Sequence, residues 1–440
     1  MIPSSSNPSL LPSLSSLGRE EAKQYNLLTY WYHKYWLNQP VDDMLENSVL
    51  SLRNLFHVMC TNSAFLDKIE YKQKVLPVGR FNYVEIKNEN TGTTRKRRTL
   101  VLMHGYASGV GFFYRNLEHF SETFDRVIAI DWLGFGASSR YSKGQYACPK
   151  RGIFSDILDS VLPQNNILPK HNPKESIDFF INGLHQFIEA DEELGLAENK
   201  FCIAGHSLGG YLTARYTLKH PEKIERLVMI SPLGIEKIPD TLLSPLQLPW
   251  GVNLVRLLWS VNFTPQSILR ILPEQRGKKI VETSINRRFG GRFEPVQLQA
   301  ISHYLYCISS APASVGAEYT LNSIMIPIAS RKEPADPAIL ETITNERQRA
   351  TMGRNYRLSI HARQPLYDDF ANDVNIKSIP IYVAYGDDDW LSYDRVSDDI
   401  KALQDRGVNI SLSTIKNAGH HLYLDNTQMF HDTLNEWMEK

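Results

Sequence analysis

The stretch Phe201-Cys202-Ile203-Ala204-Gly205-His206-Ser207-Leu208-Gly209-Gly210 decides how this chain folds. A short apolar run, suited to a buried strand, enters Gly-x-Ser-x-Gly, and Tyr211-Leu212-Thr213-Ala214-Arg215-Tyr216 continues as a helical pattern. A strand, a tight turn carrying serine and a helix together make a nucleophile elbow. Serine at such a turn is forced into a strained backbone conformation, tolerable because Gly205 and Gly209 leave room where side chains would clash. The strain lifts the hydroxyl clear of the sheet and sets it at a helix N-terminus, where the positive dipole faces a developing oxyanion.

Upstream, the apolar strand Thr99-Leu100-Val101-Leu102-Met103 ends in His104-Gly105-Tyr106-Ala107 and Ser108-Gly109-Val110-Gly111. Glycine there lets the backbone approach a substrate carbonyl, so the backbone N–H groups of Tyr106 and Leu208 are the expected oxyanion donors. Arg126 to Asp131 reads as the next strand, with Trp132-Leu133-Gly134-Phe135-Gly136-Ala137-Ser138-Ser139 as the turn after it. A helix with Ile177, Phe180, Ile181, Leu184, Phe187 and Ile188 on one face delivers the chain to the elbow strand, and Ile224 to Ile230 makes another buried strand. This alternation predicts an α/β protein with a mostly parallel sheet flanked by helices.

Residues 236–370 break the rhythm and read as a large helical lid insertion. Inside it, Trp250 to Trp259 holds a single charge and two tryptophans, which suits a membrane interface, an acyl-chain tunnel or plain lid packing. The sheet returns at Ile379, and its strand ends in Gly386-Asp387-Asp388-Asp389. By the G-x-x-D spacing Asp389 is the expected triad acid, with Asp387 and Asp388 as solvated turn residues. The last strand, Ile410 to Ile415, leads to Asn417-Ala418-Gly419-His420-His421, where His420 follows the glycine as a general base should. Consecutive loop residues point differently, so one imidazole of the two faces Ser207, and His420 is the choice. Asp425 completes H-x-x-x-x-D, a pattern associated with glycerolipid acyltransferases. Because the base already needs His420, Asp425 is read with Gln428 as a capping box for a last helix over residues 426–440. Serine, aspartate and histidine thus follow the chain order of the α/β-hydrolases.

At 440 residues the chain exceeds what such a core needs. The expected division is a disordered start (1–18), a helical, aromatic-rich segment (19–65), the first part of the core (66–235), the lid (236–370) and the second part of the core (371–440). Lys+Arg and Asp+Glu are balanced at 48 each, which removes any whole-chain electrostatic case for nucleic acid. Cys60, Cys148, Cys202 and Cys307 lack C-x-x-C spacing and read as reduced, intracellular thiols; no metal or cofactor is expected. The first 18 residues carry no charged side chain, so neither a secretory signal nor an Arg-rich transit peptide is evident there. Tyr25 to Leu37 concentrates tyrosine and tryptophan, residues that suit a membrane interface and equally suit docking on the folded body. Leu45, Val49, Leu52, Leu55, Phe56 and Met59 recur at helical spacing, and residues 69–87 alternate as opening antiparallel strands. The basic run Arg95 to Arg98 is read as a solvated strand entry rather than a phosphate site.

The stretches HGYASGVGFFYRNL, DWLGFGASSR, GHSLGGYLTARYTLKHPEKIERLVMISPLG, TPQSILRILPEQRG, HARQPL, YGDDDW and GHHLYLD resemble the lipid-acting branch of the α/β-hydrolases. That branch includes the N-acyl-phosphatidylethanolamine lipase, the co-activator of adipose triglyceride lipase and the fungal cardiolipin-specific deacylase. The resemblance covers about residues 25–440, leaving 141–172 and 331–358 unmatched, and Ala313 to Glu318 departs from the Ser-Gly-Glu expected there. It implies a phospholipid substrate at a membrane surface, bound peripherally, and among fungal members cardiolipin in the mitochondrion. The expectation is a phospholipase A-type serine hydrolase with Ser207, Asp389 and His420 as its triad. A lysophospholipid acyltransferase and a non-catalytic, lipase-regulating adaptor are the alternatives. The co-activator has lost its serine, whereas this chain keeps Ser207, which favours catalysis.

Overall fold

The computed structural model describes residues 41–88, 98–140, 172–190, 196, 199–238, 242–260, 263–291, 293–311, 323–331, 356–391 and 393–440. The start expected to be disordered, the aromatic segment, most of the basic run and the stretch 313–318 lie outside the described residues.

Among the described residues eight strands form the central sheet, in the spatial order Ile69–Leu76, Gly79–Lys87, Arg126–Ile130, Thr99–Met103, Phe201–His206, Ile224–Ile230, Ile381–Gly386 and Ile410–Ile415. β1 (Ile69–Leu76) and β2 (Gly79–Lys87) pair antiparallel, as the alternation predicts, and β2 meets β4 (Arg126–Ile130) antiparallel. From β4 onward, β3 (Thr99–Met103), β5 (Phe201–His206), β6 (Ile224–Ile230), β9 (Ile381–Gly386) and β10 (Ile410–Ile415) all run parallel. Every residue of β5 and β9 is buried, as continuous apolar runs covered on both faces should be. Alternate residues serve opposite faces: Val101 and Met103 join the core under helix Pro173–Glu189, while Leu100 and Leu102 join the core under helix Thr427–Met438.

The helix Val41–Met59 forms where the periodicity places it and buries Leu45, Leu52, Leu55 and Phe56. Its apolar face shares a core with Ile301 and Tyr304 of the lid helix Pro295–Ser310, so the segment before the sheet braces the lid. The turn after β4 is organised by Asp131, which accepts N–H bonds from Val110 (2.8 Å) and Ala137 (2.9 Å). Gly136 sits at φ +51°, and a Cβ there would lie 2.1 Å from the Asp131 carboxyl carbon. The motif's second glycine therefore makes room for its own aspartate.

The region expected as a lid, residues 236–370, holds helices Trp250–Ser260, Pro265–Ile271, Glu274–Phe289 and Pro295–Ser310. It is not purely helical. β7 (Met325–Arg331) and β8 (Tyr356–Ala362) form a separate antiparallel pair, which a local reading misses because the partners are distant in sequence and Pro327 interrupts the first. The chain leaving the lid is latched to the elbow helix Leu208–Lys219: Tyr211 Oη donates to the Gln364 carbonyl (2.8 Å), and Arg215 donates to the Gln364 and Pro365 carbonyls. HARQPL is that latch. Among the described residues, no helix is long and apolar enough to cross a membrane.

The last helix spans Thr427–Met438, and its cap is Asn426, whose side chain accepts from Met429 N–H. Asp425 is not the cap: it closes the short helix Leu422–Asp425, which shifts the last helix one residue along and turns the carboxylate elsewhere.

Candidate active site

Ser207 lies between β5 and the elbow helix with φ 55° and ψ −120°, a conformation that only a tightly determined turn holds. Its N–H donates to the Ile230 carbonyl (2.9 Å) and its carbonyl accepts from Leu233 (3.2 Å), so the end of β6 and the turn after it hold the strained residue from both sides. A Cβ on Gly205 would lie 2.4 Å from the Gly209 carbonyl oxygen, and one on Gly209 would lie 2.4 Å from that of His104. Both glycines of the motif are thus required by backbone approaching backbone. The serine side remains partly exposed.

The loop after β10 brings His420 to the serine. Its Nε2 lies 3.0 Å from Ser207 Oγ and its Nδ1 lies 3.0 Å from Asp389 Oδ1. The Asp389 side chain is fully covered, and the Leu391 N–H (2.9 Å) donates to the same oxygen. The neighbouring carboxylates Asp387 and Asp388 are both exposed, and Asp387 also accepts the Ala418 N–H (3.1 Å) of the histidine loop. His421 faces away from Ser207, packed between Phe112, His206 and Tyr423.

Tyr106 and Leu208, the expected oxyanion donors, flank the serine on the β3 loop and at the first turn of the elbow helix. The adjacent Ala107 adopts φ 55°, and Tyr106 Oη donates to Gln266 Oε1 (2.7 Å) in the lid. Gly105 lies so close that a Cβ would be 3.0 Å from Ser207 Cβ.

Two features escaped the reading of the sequence. His206, the variable residue inside the motif itself, donates from Nε2 to the His420 carbonyl (2.9 Å) and so holds that residue's backbone. Trp390, directly after Asp389, sets its ring 4.8 Å from that of His420. This half-exposed tryptophan also borders a cavity of about 320 Å³ lined by Val252, Val255, Trp259, Ile328 and Ile360. Position beside the acid was the available signal for Trp390. Nothing local marks which lid residues would face it.

Such a geometry, a strained serine hydrogen-bonded to a histidine that is paired with a buried aspartate at the ends of parallel strands, defines the α/β-hydrolase fold by its site as well as its sheet. The family model described as alpha/beta hydrolase fold matches residues 98–268. The chain has this fold. Human (Lyso)-N-acylphosphatidylethanolamine lipase is 24% identical over 91% of this chain and 95% of its own length. The 1-acylglycerol-3-phosphate O-acyltransferase ICT1 of Saccharomyces cerevisiae is 26% identical over 77% of this chain and 82% of its own. The Arabidopsis thaliana 1-acylglycerol-3-phosphate O-acyltransferase is 26% identical over 76% of this chain, which spans 65% of that protein. These relatives bear out the resemblance to the lipid-acting branch; the cardiolipin part of it draws no support from them.

Proposed function

We propose that this protein is a serine hydrolase that cleaves fatty-acyl esters of membrane phospholipids through an acyl-enzyme. The observation that carries the reading is the hydrogen-bonded chain from Ser207 through His420 to Asp389, set one tryptophan ring away from an apolar cavity. In this reading His420 Nε2 takes the Ser207 proton as Oγ attacks the ester carbonyl carbon. The Tyr106 and Leu208 amides stabilise the oxyanion, and Asp389 holds the imidazole tautomer and the imidazolium that forms. Collapse expels the lipid alcohol, which receives the proton from His420. Water, deprotonated by His420, then attacks the acyl-enzyme and releases fatty acid.

The lid supports delivery of the substrate from a bilayer. Trp250 and Leu254 stand one turn apart on the helix Trp250–Ser260 and are 81% and 45% exposed, near an 87% exposed Leu246. Val255 and Trp390, both exposed, also border the cavity, so its mouth opens beside this apolar ridge. A lipid leaving the membrane under the ridge enters the cavity without crossing water.

A second reading, transfer of the same acyl group to a lysophospholipid hydroxyl, is favoured by the acyltransferase names of the yeast and plant relatives. One experiment separates the readings. One portion of the purified protein is treated with a fluorophosphonate probe, and a second, untreated portion is given phosphatidic acid vesicles with and without a lysophospholipid acceptor. Labelling lost in Ser207→Ala, together with fatty acid release, supports the hydrolase; acceptor-dependent phospholipid formation supports the transferase. Failure of labelling and of both products would leave a non-catalytic adaptor. Ser207→Ala should lower turnover by roughly a million-fold, as loss of a triad serine does.

A further inference from the structure

The one charged side chain of the helix Trp250–Ser260 is turned inward. Arg256 is 5% exposed and lines the cavity with Val252, Trp259, Ile360 and Trp390. Among the described residues its guanidinium has no hydrogen-bond or ion-pair partner. Burial alone acts on its ionisation, pulling it down from its ordinary value. Arg270, the other buried arginine among the described residues, is answered: it donates to the Ala311 carbonyl (2.8 Å). Arginine does not shed its proton in a protein, so this cavity holds a permanent, poorly solvated positive charge.

A purely hydrocarbon occupant would cover that charge without answering it. An amphipathic anion would do both, placing chains on the tryptophan and aliphatic walls and its charged oxygens on the guanidinium fork. Phosphate matches that fork bidentately. In a glycerophospholipid only the glycerol backbone separates the phosphate from the acyl ester, and here Trp390 both borders the cavity and sets its ring 4.8 Å from that of His420.

We propose that Arg256 is the anion-recognising residue of the lipid cavity, pairing with the phosphate of a glycerophospholipid whose acyl ester lies at Ser207. The protein then selects phosphate-bearing glycerolipids over neutral glycerides of the same chain length. This rests on the hydrolase reading for the position of the ester, but the phosphate pairing is measured without turnover.

The full chain carrying Ser207→Ala is titrated by calorimetry with dihexanoyl phosphatidic acid, dihexanoylglycerol and inorganic phosphate. Phosphatidic acid should bind at least about tenfold more tightly than the neutral lipid, as a charge-assisted pair requires. Adding Arg256→Met should lower phosphatidic acid affinity by about 10- to 100-fold and bring the ratio of the two lipids close to one. Arg256→Lys should recover part of it. The unliganded melting midpoint of Arg256→Met should stay level or rise, because a buried unpaired cation has been removed. The proposal is overturned if both lipids bind equally to the parent, if Arg256→Met weakens both alike, or if its melting midpoint drops. Inorganic phosphate binding as tightly as phosphatidic acid would also overturn it, by marking a free-phosphate site. Arg256-dependent lipid binding in a chain whose Ser207 never labels would instead sink the hydrolase reading and leave the anion site standing.

Discussion

His206, His420 and His421 crowd beside Ser207, with His206 centred 4.8 Å from each of the other two rings, yet each is bound differently. His420 bridges serine and aspartate; His206 spends its Nε2 proton on a carbonyl; His421 is wrapped in aromatic rings. We expect His420→Ala to lose both fluorophosphonate labelling and turnover. His421→Ala should still label, while losing about 2 kcal/mol of stability from the cavity it leaves. Labelling rates measured beside thermal melts distinguish the two, and equal or greater loss of labelling in His421→Ala would exchange their roles.

Asp425 ties three elements together. Its Oδ2 accepts the Gly419 N–H (3.0 Å) from the histidine loop and lies 3.3 Å from Arg288 Nη2 of the lid helix Glu274–Phe289. The side chain is 7% exposed, so this is a largely desolvated brace between lid and loop. With its carboxylate engaged on the backbone next to His420, Asp425 would act on the proposed base through position. Asp425→Ala should cost about 1.5–3 kcal/mol, the range for a hydrogen bond to a charged group, and should slow hydrolysis and any acyl transfer together. Asp425→Asn, which retains an acceptor, should restore most of both. Selective loss of transfer to a lysophospholipid, with hydrolysis intact, would give Asp425 a part in the transfer reaction instead.

The folded molecule carries several histidines that burial keeps neutral. Burial holds His104, His206 and His421 below the ordinary imidazole value, the last two well below it and further lowered by their histidine neighbours. His431 is pushed down to about 3, again chiefly by burial. The unfolded chain therefore binds more protons than the native one below about pH 6.5, and stability falls as pH falls from there toward these depressed values. Each such histidine contributes a slope of up to about 1.4 kcal/mol per pH unit. Melting midpoints should be flat, as far as these groups are concerned, from pH 8 to about 6.5 and drop steeply below; His431→Gln should flatten that drop, and an unchanged slope would contradict this account. The proposed membrane docking is likewise a property of the assembled surface. Trp250→Ala with Leu254→Ala should weaken liposome binding while a short-chain soluble ester is still cleaved. The aromatic segment Tyr25 to Leu37 is the competing foothold, tested by Trp31→Ala with Trp36→Ala in the same sedimentation assay.

Local chemistry made much of this protein legible in advance. The elbow needs glycine where backbone meets backbone, so Gly205 and Gly209 betray it; the continuous apolar runs of β5 and β9 betray buried parallel strands; and the helix Val41–Met59 repeats its core face every turn. The residues Ser207, Asp389 and His420, brought together by the sheet, each follow the end of a strand readable by itself. What needed the tertiary structure were choices between neighbours and between faces. The β7 and β8 pairing joins segments no periodicity links, and the capping role passed from Asp425 to Asn426 because the Gly419 amide and Arg288 compete for the aspartate. In the sequence Arg256 is only the single charge among the tryptophans of its segment; that β7, β8 and Trp390 close around it is decided by the packing, because a helix pattern gives a face its period but only the packed neighbours decide which side meets water.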